Sequence, residues 1–191
     1  MRWLVPGRAL DLGCGAGRVA LYLQEQGREA VGIDVSPLAI EVCRRRGVKD
    51  ARCLSITQVG PALGVFDNLL MMGNNWGLME SRKRARWLLR RFHALTSPGA
   101  RIIATSNDIY QTDSPYHLAY HALNRERGRM AGQIRMRVRY RMHRSDWFDY
   151  LMGSREEMQA IVAGTGWGVV RFLDSAGPAY AAILEKVDRA G

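Results

Sequence analysis

The chain has 191 residues, 47% of them hydrophobic, and a net charge of +10. That length suits a single domain, 1–191, with a full core, and the apolar runs are too short for a bilayer span or a cleaved leader. Cys14, Cys43 and Cys53 lack metal-type spacing and form an odd, sparse set, so a cytoplasmic protein without metal or membrane attachment is expected.

Arg8 to Leu12 reads as a buried strand running into a glycine cluster. Val19, Leu21, Tyr22 and Leu23 recur along a helix from Arg18 to Gln26, which Gly27 is placed to end. The next apolar run, Ala30 to Ile33, stops at Asp34. Ser36-Pro37 then supplies an N-cap with proline at the first helical position, and the helix through Val42 and Cys43 stops at Gly47. Val48 to Leu54 and Phe66 to Met72 read as the third and fourth strands. Arg82 to Leu95 is a basic amphipathic helix, with Trp87, Leu88, Phe92 and Leu95 expected on its apolar side. Pro98-Gly99 should break the chain before a fifth strand, Arg101 to Ser106.

Asn107 to Gly153 is too long for a simple connection. Tyr116 to Arg127 looks helical. Strict alternation follows, with Ile134, Met136, Val138, Tyr140 and Met142 opposite Arg135, Arg137, Arg139, Arg141 and His143. His143 to Asp146 is the expected turn back into Trp147 to Met152, which makes an inserted hairpin with one arginine face. Ser154-Arg155-Glu156-Glu157 is a capping box for a last helix running toward Gly164, and Trp167 to Leu173 and Tyr180 to Glu185 are closing strands. This alternation predicts a doubly wound α/β fold, with a mostly parallel seven-stranded sheet covered on both faces.

The segment Asp11-Leu12-Gly13-Cys14-Gly15-Ala16-Gly17-Arg18 joins strand to helix. Its glycines let main chain approach a ligand closely. Asp34, ending the next strand, is placed to accept hydrogen bonds from two ribose hydroxyls. A dinucleotide fingerprint has G-x-G-x-x-G, whereas here the spacing is G-x-G-x-G and Arg18 stands where the third glycine belongs. A carboxylate two residues before the first glycine is an odd neighbour for a pyrophosphate. It suits a cationic ligand better.

On these residues the chain resembles the class I, Rossmann-like, S-adenosylmethionine (SAM) dependent methyltransferases. The order of elements agrees from Arg8 to Lys186. The resemblance implies that Asp11 and the loop at Gly13, Cys14, Gly15 and Gly17 hold the methionine portion. By the same resemblance Asp34 takes the ribose, Val35 packs beside adenine, and Met72 and Gly73 lie near the transferring methyl. Relatives often close the third strand with an acidic residue. Here Ser55 and Ile56 stand in that place, so adenine recognition is expected to rest on backbone groups or on Ser55. Many relatives also carry a helical segment before the first strand, where this chain has seven residues. The acceptor site is then open, or covered by the insertion or another subunit, or the chain is incomplete.

Methyl transfer from a sulfonium is an in-line displacement that depends mostly on positioning. Asn74, Asn75, Asn107, Asp108, Tyr110 and Tyr120 are candidate acceptor contacts. His117 and His121 are candidate bases for a hydroxyl acceptor, against a bland reading as partly buried helix residues. A small-molecule acceptor methylated at oxygen or nitrogen is the favoured expectation, with 107–153 contributing to its site. An RNA or DNA methyltransferase using the arginine-rich face is an alternative, as is a non-catalytic SAM-binding subunit that dimerises through the hairpin.

Overall fold

A computed structural model describes residues 4–187; residues 1–3 and 188–191, the ends of the expected domain, lie outside the described part. In chain order the elements are β1 (Ala9–Leu12), α1 (Arg18–Glu25), β2 (Ala30–Asp34), α2 (Pro37–Arg45), β3 (Ala51–Cys53), β4 (Phe66–Met71), α3 (Arg82–Ala94) and β5 (Thr96–Asn107). Then follow α4 (Pro115–Glu126), β6 (Gln133–Met136), β7 (Arg139–Tyr140), β8 (His143–Arg144), β9 (Phe148–Leu151), α5 (Arg155–Val162), β10 (Trp167–Asp174) and β11 (Ala179–Lys186). One seven-stranded sheet runs in the order β10-β11-β5-β4-β1-β2-β3. It is parallel from β3 to β5, and β11 and β10 close it antiparallel. The expected doubly wound architecture is present.

Strand alternation decides what each face buries. Leu10, Leu12, Leu69 and Met71 point to the face covered by Leu88, Leu89 and Phe92 of α3 and by Met158 and Ile161 of α5. Ala9 and Leu70 point to the other face, under Val19, Ala20 and Leu23 of α1 and Ile40 and Cys43 of α2. Serine side chains cap the starts of α2, α3 and α5. Ser36 Oγ accepts from the Ala39 N–H at 3.3 Å, and Ser154 and Glu157 complete the expected capping box at the head of α5. The chain leaves β1 toward β2 on one side and meets β4 on the other, so a crevice opens beyond the carboxyl end of β1.

Four local expectations are corrected. The third strand is only Ala51–Cys53. Trp87 does not bury: it is 46% exposed under the Arg91 guanidinium, and Ala85 and Leu89 take its place on the buried side of α3. Pro98-Gly99 does not precede β5 but bulges within it. Phe66 pairs with Thr96 and Asn68 with Arg101, and a proline without an N–H is tolerated in such a bulge. The long alternating strand does not exist as one element. β6 pairs with β9, while β7 and β8 form a separate short ribbon whose turn lies at Arg141, with φ of 53°, rather than at His143 to Asp146. Val138, Tyr140 and Met142 are all exposed, so no buried face holds a longer register.

Candidate active site

Positive φ angles at Gly13, Gly15 and Gly17 fold the loop after β1 back over the sheet edge. The Gly13 and Cys14 N–H groups both donate to Ile33 O at 2.9 Å, which ties the loop to β2. At Gly13 a Cβ would sit 2.6 Å from Asn75 Nδ2, whereas at Gly15 nothing lies within 4 Å. Gly15 thus leaves bare main chain facing open space. The Cys14 side chain turns inward, 3.9 Å from Cys43 Sγ, and Cys43 donates to Gly15 O at 3.0 Å. Burial pushes both thiols above their ordinary range, so Cys14 offers its main chain, not a thiolate.

Asp34 has two sets of partners to satisfy. Its Oδ2 accepts the Gly15 N–H at 3.0 Å and its Oδ1 the Ser36 N–H at 2.9 Å. A carboxylate has about four lone-pair sites, so room remains for two hydroxyl donors. Asn75, expected as an acceptor contact, instead braces the loop, its Nδ2 donating to Leu12 O and Gly13 O at 2.8 Å. Asn74, in the left-handed region, donates its N–H to Thr105 Oγ1.

Asp11 is the most perturbed carboxylate. It is 2% exposed, and its Oδ2 has no hydrogen-bond partner among the described residues. Burial, aided by the nearby Asp34 charge, raises its pKa to about 7, while the Ala20 N–H and Arg18 pull the other way. An orphaned buried carboxylate beside bare backbone suits a cation.

Of these residues Gly13 and Asp34 border a cleft of about 310 Å³, whose lining does not include Asp11, Cys14, Gly15 or Gly17. Gly13 and Asp34 lie at the strand ends, with Val35, Leu54, Ser55 and Ile56 beyond them. Leu78, Glu80 and Arg84 from the segment after β4 and Phe148 from β9 complete the lining. The structure therefore brings Gly13, Asp34, Val35, Ser55 and Ile56 together, as anticipated. Leu78, Glu80 and Arg84 carried no such signal in the sequence, because each reaches the cleft through tertiary packing. Trp147, by contrast, is 53% exposed beneath Arg137. Met72 is half-buried and packs on the α1–α2 face, and Gly73 borders a separate hollow with Asn74 and Thr105.

The remaining candidates lie outside this lining. Asn107 ends β5 opposite Ala179. Asp108 accepts the Tyr110 N–H at 3.0 Å, and the Tyr110 hydroxyl donates to Glu157 at 2.7 Å. Tyr120 accepts the Arg135 N–H. His117 is exposed and hydrogen-bonded to Thr112 at 2.9 Å. His121 is buried edge-on to Tyr110, and burial, with the charges of Arg125 and His117, lowers its pKa.

Residues 9–99 match the methyltransferase domain family. A solved SAM-dependent methyltransferase from Bacteroides fragilis, in complex with S-adenosyl-L-homocysteine, superposes with a TM-score of 0.79 at 30% identity, over 95% of this chain and 73% of that one. This chain belongs to the class I SAM-dependent methyltransferases. Its cofactor is SAM. Curated relatives match over shorter stretches. One is 2-heptyl-1-hydroxyquinolin-4(1H)-one methyltransferase of Mycobacteroides abscessus, 50% identical over 40 residues, or 21% of this chain and 18% of that one. Another is the ubiquinone biosynthesis O-methyltransferase of Methylocella silvestris, 33% identical over 104 residues, or 52% and 39%. This methyltransferase therefore spans under half the length of the curated relatives it matches.

The residues present in this methyltransferase fit SAM. Asp11 Oδ2 is buried without a partner among the described residues, where an ammonium group would pair; Gly15 leaves space, and Asp34 keeps acceptor sites that ribose hydroxyls would fill. Replacing Asp34 by Ala is expected to weaken S-adenosylhomocysteine by ~1.5–3 kcal/mol, the scale of a hydrogen bond to a charged group. Calorimetry giving unchanged affinity would remove Asp34 from the site.

Proposed function

We propose that this methyltransferase transfers the methyl group of SAM to an oxygen or nitrogen of a small organic acceptor, leaving S-adenosylhomocysteine. The cofactor supplies an electrophilic methyl on a sulfonium, and the protein's contribution is alignment. Asp11 holds the ammonium group, the main chain from Gly13 to Gly15 lies against the methionine portion, and Asp34 orients the ribose. The acceptor enters from the β4 and β5 ends, beside Gly73, Asn74 and the insertion 107–153. If it carries a hydroxyl, the exposed His117 is the proposed base. His121, buried against Tyr110 with its pKa lowered by that burial, packs instead.

The observation that carries the reading is the buried, unpartnered Asp11 Oδ2 beside the Asp34-anchored loop. The small-molecule acceptor is supported by the relatives, one named for a hydroxyquinolone and another for ubiquinone biosynthesis. The test is turnover of labelled SAM with hydroxylated aromatic acceptors and with RNA, each at 50 and 200 mM salt. Methylation of a small acceptor should change little with salt. A nucleic-acid enzyme relying on several phosphate contacts would lose about 10³-fold or more in affinity over such a range.

That second reading is favoured by one observation, the exposed ribbon carrying Arg137, Arg139, Arg141 and Arg144. Salt-sensitive methylation of RNA, with no turnover of small acceptors, would establish it. SAM binding without turnover of either class would indicate a non-catalytic subunit, and concentration-dependent sedimentation would reveal a homodimer through the hairpin.

A further inference from the structure

Glu80 is held in a conformation that side chains rarely adopt. Its φ is 62° and ψ −41°, and the Ser81 N–H donates to Met79 O at 2.7 Å across it, which makes a tight γ-turn with positive φ. Such turns are rare and strained, and they persist where surrounding structure holds them. This one faces the cleft, and its carboxylate pairs with Arg84 at 2.9 Å. Arg84 Nε is buried without a hydrogen-bond partner among the described residues.

The end of β3, where relatives often place an acidic residue, has little left to offer. The Ser55 N–H donates to Gln58 Oε1 at 2.9 Å, and Ser55 Oγ accepts the Thr57 N–H and pairs with Thr57 Oγ1 at 3.0 Å. These polar groups close their own capping box. With the ribose fixed at Asp34, a base reaching past Val35 toward Ser55 and Ile56 lies in the part of the cleft that Leu78, Glu80 and Arg84 border.

We propose that Glu80 and Arg84 together read the edge of the adenine ring, Glu80 accepting from the exocyclic amino group and Arg84 Nε donating to the adjacent ring nitrogen. This rests on the cofactor assignment above and adds to it a pair of specificity-determining residues. An acceptor beside a donor, locked to each other four residues apart, complements the donor-acceptor order of adenine. Hypoxanthine presents the reverse order, and sites built for one hydrogen-bond pattern reject its inverse strongly. The γ-turn explains how a residue ahead of α3 reaches the cleft. The strain is maintained because it aims the carboxylate.

The experiment is calorimetric titration of the whole chain with S-adenosylhomocysteine and with S-inosylhomocysteine, in which the amino group is replaced by a carbonyl. The unaltered protein should prefer the adenosyl compound by about 100-fold. Glu80→Gln, whose amide can turn to donate, should narrow this to about tenfold or less. Arg84→Lys, which keeps the charge but lacks the Nε donor, should also narrow it, and serves if the Glu80 variant folds poorly. Glu80→Gly should raise the melting temperature by relieving the turn while losing the discrimination. Equal affinity for both compounds in the unaltered protein, or full discrimination in both Glu80→Gln and Arg84→Lys, overturns the proposal while leaving the cofactor assignment intact. Failure to bind either compound overturns both.

Discussion

Asp11→Asn should stabilise the ligand-free protein at pH 8 and weaken its hold on S-adenosylhomocysteine. The Asp11 carboxyl titrates near 7 in the fold against an ordinary value of 3.8, chiefly through burial. A carboxyl whose pKa rises on folding binds its proton more tightly in the native state. Its contribution is therefore fully present below about pH 4 and lost as pH rises through about 7. At pH 8 the buried charge costs on the order of 4 kcal/mol relative to the protonated group. The amide removes that charge at a desolvation cost of about 1–3 kcal/mol for its unpaired donor. The variant should melt higher at pH 8 and show a flatter stability profile between about pH 4 and pH 7. Ligand binding moves the other way. On the proposed reading the ammonium group pairs only with the ionised carboxylate, so affinity of the unaltered protein should fall as pH drops below about 7, and binding at pH 6 should release a proton. In the variant that release vanishes and affinity drops by roughly tenfold or more. Identical melting curves for the two proteins at pH 5 and pH 8 would show that Asp11 is not a buried, destabilising charge.

Gly77→Ala should cost about 3–5 kcal/mol, from overpacking together with lost burial of an aromatic side chain. Gly77 is buried in the turn Asn75–Met79, and a Cβ there would sit only 2.0–2.3 Å from three atoms of the Tyr150 ring. The methyl is fixed to the backbone, so the ring must leave. Tyr150 then loses its packing and the hydrogen bond from its hydroxyl to Asn74 O at 2.5 Å. Because Tyr150 neighbours Phe148 in β9, the insertion detaches from the cleft as well as from the turn. A melting temperature about 10 °C lower is expected for a chain of this size. The double variant Gly77→Ala/Tyr150→Ala should be scarcely less stable than Tyr150→Ala alone, since the room the methyl needs is then available. Additive losses in that cycle would contradict the packing argument.

The parts of the site legible in the sequence are those whose neighbours in space are also neighbours along the chain. Gly13, Gly15 and Gly17 announce a tight strand-helix joint, and Asp34 follows one βα unit later, so local pattern alone places both at one sheet edge. The helices announced themselves by their caps, as at Ser36 and Ser154. Trp87 misled because a period of 3.6 permits two stripes on α3, and only the sheet beneath decides between them. The alternation from Ile134 to Met142 misled for a related reason. Period two describes a strand's two faces, but a continuous strand needs something to bury one of them.

The amino-acid order by itself determined the doubly wound sheet, the glycine loop and the pair of carboxylates, because each arises from hydrogen bonding and burial within about thirty residues of chain. Tertiary structure alone decided that Asn75 braces the loop, that Asp11 Oδ2 stays without a partner among the described residues, and that Glu80, Arg84 and Phe148 share a cleft with Ser55. Such groups meet only when the sheet closes and the insertion docks on the turn after β4. No local propensity encodes which distant backbone carbonyl, charge or ring a side chain will find there.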